Sequence, residues 1–198
     1  MSLRDQLKGT GVALVTPFNE NGSIDFNSLE KLIDFVIDGG VNYIVTLGTT
    51  GETPTLSMDE KKDIVDQTFS FVAERVPVVI GIGGNNTAEV IKEIETLPTE
   101  KAEAILSASP YYNKPSQEGL YQHYKAIASS TAKPIILYNV PGRTGSNLAA
   151  ATTVRLANEV ENINGIKEAS GNMVQCMASS AALPMKFLFG ISFDFHID

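Results

Sequence analysis

Short runs of apolar residues alternate with longer amphipathic segments along almost the whole chain. The runs are rich in valine and isoleucine and too continuous for strands with one solvated face, so they predict buried strands of a parallel sheet. We expect strands at residues 12–16, 43–47, 76–82, 104–108, 134–140 and 163–168, and a less clear one at 186–189.

The segments between these runs carry the period of an amphipathic helix. Apolar residues from Leu29 to Val36 recur on one helical face, and Ser57 with Glu60 forms a capping-box pattern ahead of a second helix. Further helices are expected to begin at Thr87 and Ser116, and a fifth near residues 149–159.

Strand–helix alternation of this kind predicts an α/β fold, either a (β/α)8 TIM barrel or a doubly wound sheet. Polar, glycine-containing loops follow several different strands instead of gathering at one crevice, which favours the barrel. A barrel of this type typically takes about 250 residues, whereas the chain has 198 residues. We therefore expect a single barrel domain over residues 1–198 that is incomplete at its C-terminus, after six to seven strands.

Composition narrows the class of protein. The net charge of −8 argues against nucleic acid or an anionic membrane as the main partner. Cys176 is the one cysteine, and His123 and His196 are the two histidines, so a disulfide, a thiolate metal site or a Cys–His nucleophile is not expected. The first residues are polar and lack the apolar core of a signal peptide, which predicts a cytoplasmic protein.

Lys167 is the first candidate for chemistry, because it lies inside the apolar run at 163–168. Desolvation lowers the pKa of a lysine, and a neutral amine attacks a ketone to form a Schiff base. The alternative is a strand-end lysine whose stem covers apolar surface while its ammonium group reaches water. The position of Lys167 alone leaves both interpretations open.

Two loops carry further candidates. In residues 48–52, glycines permit a tight turn whose N–H groups, with the hydroxyls of Thr49 and Thr50, can hold a carboxylate. Tyr138 and Arg143 flank a Pro-Gly turn that can aim both side chains into one cavity, a tyrosine to transfer protons and an arginine to bind a carboxylate. The alternatives are an ordinary turn and a loop arginine paired with a surface acid.

Other residues carry weaker signals. Tyr111 and Tyr112 follow a predicted strand, and either pack or contribute to a site there. The glycine-rich residues 81–86 lack the third glycine and the acidic partner of a dinucleotide loop, so we expect a structural turn. His123 is expected on a helix surface and receives no role.

Taken together, residues 48–52, 110–115, 138–144 and 165–171 resemble the dihydrodipicolinate synthase family. That family belongs to the pyruvate-dependent class I aldolase superfamily, which includes N-acetylneuraminate lyase. The resemblance runs from about residue 11 to residue 171. It implies a (β/α)8 barrel that condenses pyruvate with L-aspartate 4-semialdehyde to 4-hydroxy-tetrahydrodipicolinate, in lysine and diaminopimelate biosynthesis. It also implies a homotetramer built as a dimer of dimers, without an organic cofactor or catalytic metal.

The resemblance implies roles for individual residues. Lys167 matches the Schiff-base lysine, and Tyr138, Thr49 and Tyr112 match a proton relay in which Tyr112 reaches across from a neighbouring subunit. Gly48 and Thr50 match residues that hold the carboxylate of pyruvate. Arg143 matches the arginine that binds the carboxylate of the second substrate, and an arginine at this position separates the synthases from sialic acid lyases.

A regulatory site is also implied, because many members of the family are inhibited by lysine at a dimer interface. Tyr111, Asn85 and Glu89 match residues of that site. Lys61 stands where sensitive members often carry histidine, and its cation would repel the ammonium groups of the effector. We therefore predict weak or absent lysine feedback.

The similarity weakens towards the C-terminus. After about Met177 we expect a divergent tail, residues 178–198, in which residues 178–184 do not form the family's helix and residues 187–194 only faintly resemble its seventh strand and following turn. Two alternatives to the synthase therefore stay open. One is a sialic acid or keto-deoxy-sugar aldolase, and the other is a catalytically inactive, truncated remnant.

Overall fold

A computed structural model describes residues 2–192 of the chain and shows one sheet of seven parallel strands. The strands pair in sequence order, each with the next along the chain, which confirms the predicted α/β alternation. They are β1 (Gly11–Ala13), β2 (Tyr43–Thr46), β3 (Val78–Gly81), β4 (Ala104–Ala108), β5 (Ile135–Asn139), β6 (Ile163–Glu168) and β7 (Leu188–Ile191).

Helices connect the strands. They are α1 (Leu3–Gln6), α2 (Phe26–Asp38), α3 (Met58–Val72), α4 (Thr87–Thr96), α5 (Gln117–Ser129), α6 (Pro141–Thr144), α7 (Ala150–Glu159) and α8 (Met173–Ala182), with two single-turn 3-10 helices at Thr49–Gly51 and Thr53–Thr55. The capping box predicted at Ser57 and Glu60 is present at the start of α3. Within residues 2–192 no helix is both long and apolar enough to cross a bilayer.

The sheet curls into an incomplete barrel. A cavity of about 430 Å³ is lined by residues from all seven strands, including Ala13 of β1 and Gly190 of β7, so the first and last strands face the same interior space. In the described part of the chain β1 and β7 do not pair with each other, which leaves both as sheet edges. The expectation of a TIM-type barrel with six to seven strands is confirmed.

Apolar packing forms on both faces of the sheet. The larger cluster lies between the strands and the surrounding helices and includes Ile80, Ile105 and Tyr124. A second cluster inside the curl joins Leu3 and Leu7, at the N-terminus, to inward-facing residues of β2–β5. Because both faces are buried, the strands read as continuous apolar runs instead of alternating ones.

Two expectations from the sequence are wrong. Residues 178–182 continue α8, which the Asn172 side chain caps by accepting a hydrogen bond from the Gln175 N–H; the helix ends just before Leu183 and Pro184. His123 is not on a helix surface: it is 5% exposed and lies on the buried part of α5, where its Nδ1 meets the Thr87 hydroxyl of α4. Several predicted strands extend up to three residues too far, and β7 begins two residues later than expected. The end of the expected turn after β7, residues 193–194, lies outside the described residues.

Candidate functional site

Lys167 and Tyr138 are direct neighbours on adjacent strands. The ladder between β5 and β6 pairs Tyr138 with Lys167, and the Lys167 Nζ lies 4.6 Å from the centroid of the Tyr138 ring. Tyr138 is buried, whereas Lys167 is half-buried and lines the cavity inside the barrel. The strand position of Lys167 therefore places its amine beside a tyrosine ring, at the cavity inside the incomplete barrel.

The loop after β2 is shaped by its backbone. Leu47 has a left-handed φ of 53°, which turns the chain sharply before Gly48 and the 3-10 turn at Thr49–Gly51. The Thr53 hydroxyl donates to the Gly48 carbonyl oxygen at 3.1 Å and to that of Leu47 at 2.5 Å, which holds the turn closed. On the facing strand a Cβ at Gly81 would overlap the Leu47 carbonyl oxygen, so β3 can approach only without a side chain there.

A second cavity, of about 500 Å³, lies at the carboxyl ends of β2, β3, β4 and β5. Because parallel strands all end on the same side of the sheet, the loops that follow them meet there. Tyr138 lines this cavity as well as contacting Lys167, so its ring adjoins both spaces. The other candidate residues that line it are Gly48, Thr49, Lys61, Asn85, Glu89, Tyr111 and Arg143.

Two candidate residues are not brought into either cavity. Tyr112 is 85% exposed and has a left-handed φ of 73°, while its backbone N–H donates to the Thr144 carbonyl oxygen at 3.3 Å. Thr50 is also exposed and lines neither cavity, although Thr49 beside it lines the second one. In the single chain, therefore, neither the hydroxyl of Tyr112 nor that of Thr50 lines the space around Tyr138.

The second cavity contains an ion pair that the sequence analysis did not predict. The Lys61 Nζ lies 2.9 Å from the Glu93 Oε1, and the two side chains are only 13% and 11% exposed. Glu93 occupies the buried face of α4 with Val90 and Ile94. The signal was available: a glutamate at helical spacing within an apolar face is uncommon unless it has a partner.

Asn139 and Glu168 were also missed. They are the next residues after Tyr138 and Lys167, pair with each other across the same ladder, and are 0% and 1% exposed. Their position next to two candidate catalytic residues could have drawn attention to them. Their hydrogen-bond partners, however, include residues from other segments of the chain, which the sequence does not reveal. Among residues 2–192 no group of three or more His, Cys, Asp or Glu side chains is arranged to hold a metal ion.

One further titratable group faces the barrel cavity. Tyr43 lines it, and burial raises the pKa of its phenol above the ordinary value of 10.0. Tyr43 therefore stays protonated at neutral pH and offers a hydroxyl, not a phenolate, to that space.

Comparison with known proteins supports a single family. Residues 6–189 match the model of the Dihydrodipicolinate synthetase family, further towards the C-terminus than the resemblance over 11–171. A 4-hydroxy-tetrahydrodipicolinate synthase of Parabacteroides distasonis is 56% identical over 169 residues, which are 85% of this chain and 57% of the relative. That of Porphyromonas gingivalis is 50% identical over 194 residues, 98% of this chain and 65% of the relative.

Solved structures agree with the sequence relatives. A chloride-inhibited dihydrodipicolinate synthase of Acinetobacter baumannii, complexed with pyruvate, superposes with a TM-score of 0.90 at 46% identity, covering 94% of this chain and 64% of that one. The dihydrodipicolinate synthase of Thermotoga maritima gives 0.90 at 40% identity, with the same coverage. This chain therefore spans about three fifths of the length of the relatives it matches.

Proposed function

The chain belongs to the dihydrodipicolinate synthetase family, and from that premise we propose that it condenses pyruvate with L-aspartate 4-semialdehyde through a Schiff base on Lys167. The product is 4-hydroxy-tetrahydrodipicolinate, a precursor in lysine and diaminopimelate biosynthesis. The observation that carries the proposal is the Lys167 amine lying 4.6 Å from the Tyr138 ring, at the cavity inside the incomplete barrel.

The reaction begins with covalent capture of pyruvate. The neutral Lys167 amine attacks the ketone carbon, and loss of water gives an iminium ion. This ion acidifies the methyl group, whose deprotonation gives an enamine. The enamine carbon attacks the aldehyde of the second substrate, and the amine of that substrate then displaces Lys167 and closes the ring. Covalent catalysis divides a difficult carbon–carbon bond formation into easier steps.

Hydroxyl groups transfer the protons in these steps. Tyr138 adjoins Lys167 and lines the cavity that also receives Thr49, so the two residues are suited to pass protons between the reacting carbon and solvent. A positioned general acid–base typically contributes about 10²–10⁴-fold. Gly48 and Thr50 are proposed to hold the carboxylate of pyruvate, with Thr50 turning inwards when the substrate binds.

Arg143 is proposed to bind the carboxylate of the aldehyde substrate. It lies in α6, directly after β5, and lines the same cavity as Tyr138. A guanidinium group offers two parallel donors to a carboxylate, which fixes the orientation of the aldehyde as well as its affinity. This arrangement favours a small amino-acid aldehyde over the uncharged sugar aldehydes of the sialic acid lyases.

Tyr112 is proposed to act in a neighbouring subunit. Its 85% exposed ring projects from a left-handed backbone position away from its own cavity. An exposed tyrosine on a strained loop is suited to an interface, where aromatic residues are enriched. We propose that the active form is a homo-oligomer, arranged as a dimer of dimers, in which this ring completes the proton relay of the partner.

Lysine feedback is proposed to be weak or absent. Asn85, Glu89 and Tyr111 line the second cavity, but the Lys61 ammonium group lies in the same cavity on the Glu93 carboxylate. A lysine effector would bring further positive charge next to that ammonium group. The ion pair also engages one carboxylate that the effector would otherwise contact.

The test is turnover of both substrates by the purified chain, followed by formation of the cyclic product. We expect Lys167→Ala to abolish turnover, and Tyr138→Phe to reduce kcat by about 10²-fold or more. Arg143→Ala should chiefly raise KM for the aldehyde and leave pyruvate capture intact. The matched control is Lys92→Ala, an exposed lysine on α4, which should behave as the unchanged protein.

Two outcomes would contradict the proposal. Undiminished turnover in Lys167→Ala would remove the Schiff base from the mechanism. Well-folded protein that forms no product would support the inactive remnant.

A further inference from the structure

The two strands that carry Tyr138 and Lys167 present a second pair of residues on their opposite face. Successive residues of a strand point to opposite sides, so Asn139 and Glu168, which pair across the ladder, face the helix layer while Tyr138 and Lys167 face the barrel. Asn139 and Glu168 are 0% and 1% exposed. A buried carboxyl group thus lies directly behind the proposed catalytic pair.

Glu168 is held by three N–H donors. The Asn139 Nδ2 lies 2.9 Å from the Glu168 Oε1 and 3.1 Å from the Oε2. The Ser170 backbone N–H donates to Oε1 at 2.9 Å, and the Gln175 Nε2 donates to Oε2 at 3.0 Å. All three donors are uncharged amides, so the carboxyl group is satisfied by hydrogen bonds from three separate places in the chain.

Backbone groups fix the orientation of both side-chain amides. The Asn139 Oδ1 accepts from the Leu148 N–H at 2.9 Å, so the other side of that amide, facing Glu168, must be its NH2 group. The Gln175 Nε2 donates to the Leu148 carbonyl oxygen at 3.2 Å, so it too is a donor. Each amide that contacts Glu168 therefore donates to it, and an amide in place of this carboxyl group would set N–H against N–H.

The cluster also reaches the loop that follows Arg143. The Asn139 Nδ2 donates to the Asn147 Oδ1 at 2.9 Å, and the Asn147 Nδ2 donates to the Gln175 Oε1 at 2.9 Å. The cluster formed by Asn139, Asn147, Glu168 and Gln175, which we call the polar clamp, connects the ends of β5 and β6 to the loop before α7 and to α8. Tyr138 and Lys167 lie on the two strands that it joins, and Arg143 lies in α6, just before the loop that it reaches.

We propose that Glu168 is a positioning residue, which acts through the polar clamp to hold the Lys167 amine and the Tyr138 hydroxyl in the geometry for imine formation. The inference rests on the proposed Schiff base at Lys167 and goes beyond it, because Glu168 lines neither cavity. Neighbouring strand ends that drift apart misalign an amine and an acid–base group, and a displacement of about 1 Å can reduce a rate about 10²-fold.

The test is the rate of pyruvate capture in Glu168→Gln, which keeps the shape of the side chain but sets an NH2 group against other donors. The full chain is mixed with saturating pyruvate, reduced with borohydride at intervals, and its adduct read by intact mass. We expect the first-order rate to fall by about 10-fold or more, with an unchanged final yield. Partial unfolding would lower the yield instead. Glu161→Gln, an exposed glutamate just before β6, is the matched control.

Three further variants test whether the effect of Glu168 runs through the polar clamp. In Glu168→Gln with Asn139→Asp, the new amide donates to the new carboxylate, while that carboxylate still accepts from the Leu148 N–H. We expect this double variant to capture pyruvate faster than Glu168→Gln alone. Asn139→Asp alone sets two carboxylates against each other, so we expect it to capture pyruvate slowly. Gln175→Leu removes one donor from the half-buried surface of α8 and should give a smaller loss, even if Glu168→Gln does not fold.

Three distinguishable results would overturn either the positioning role of Glu168 or the proposed synthase function. Capture by Glu168→Gln and Gln175→Leu at the unchanged rate overturns the role of Glu168 and leaves the Schiff base standing. Absence of any adduct on the unchanged protein overturns the proposed function. In that case, trace labelling with acetic anhydride measures the Lys167 amine relative to Lys92: a ratio altered by Glu168→Gln supports the positioning role, and an unaltered ratio overturns it.

Discussion

His123 gives the sharpest prediction about stability, namely that the protein loses stability in mild acid through this one side chain. The imidazole is 5% exposed, its Nδ1 lies 2.8 Å from the Thr87 Oγ1, and its Nε2 is buried without a hydrogen-bond partner in the described residues. Its ring meets Tyr124 edge to face, with centroids 5.3 Å apart. Burial lowers the pKa of His123 from 6.5 to about 4.

The sign and size of the effect follow from this shift. Above pH 6.5 His123 is neutral in both the folded and the unfolded chain, so the full stability is present. As the pH falls from 6.5 towards 4, the unfolded chain binds a proton that the folded chain does not, and the free energy of unfolding decreases. At about 1.4 kcal/mol per pKa unit, the loss approaches about 3 kcal/mol.

The assay is urea unfolding at several pH values between about 7.5 and 4.5, a range that covers most of this titration. His123→Phe keeps an aromatic ring but binds no proton, so its free energy of unfolding should change far less over this range. Gln122→His, an added histidine on the exposed side of α5, is the control and should introduce a change within about 0.5 kcal/mol. Equal losses in the unchanged protein and in His123→Phe would refute the reasoning.

Three further predictions concern the second cavity and its surroundings. Lys61→Ala should lower the free energy of unfolding in urea by about 3–5 kcal/mol, because it leaves the Glu93 carboxylate buried without its partner. The control, Lys62→Ala, removes an exposed ion pair from the same helix and should change that free energy by about 1 kcal/mol or less. Equal losses in the two variants would contradict this prediction. Gly81→Ala should lower the thermal midpoint, because its Cβ would overlap a backbone carbonyl, while Gly142→Ala has open space and should be tolerated; a tolerated Gly81→Ala would show that β2 and β3 can separate. Millimolar lysine should leave the turnover of a full-length version nearly unchanged, and strong inhibition at low lysine concentration would refute the proposed effect of the Lys61 cation.

Much of the fold could be predicted because its signals are local. The apolar runs give the strand positions, and parallel pairing places all their carboxyl ends together, so residues that follow different strands meet at one cavity. The neighbourhood of Tyr138 and Lys167 was predictable for this reason: each comes near the end of its strand, and the two strands are adjacent in the sheet.

The missed features depend on contacts between distant segments. His123 and Glu93 are polar residues on helix faces, and the periodicity does not show which face packs against the sheet until the helix is docked. The polar clamp needs Gln175 on α8, a helix that the sequence analysis did not predict. Tyr112 is a different case, because the sequence resemblance assigned it a role that the single chain does not explain. Its side chain is exposed and does not reach the cavity that contains Tyr138.

Locating the pyruvate adduct on the chain tests the proposed Schiff base at Lys167. The protein is incubated with pyruvate, reduced with borohydride and digested, and the modified peptide is identified by mass spectrometry. We expect one adduct per chain, on the peptide that contains Lys167, and none after Lys167→Ala. Folded protein that carries no adduct, or an adduct shared equally with exposed lysines such as Lys92, would contradict it.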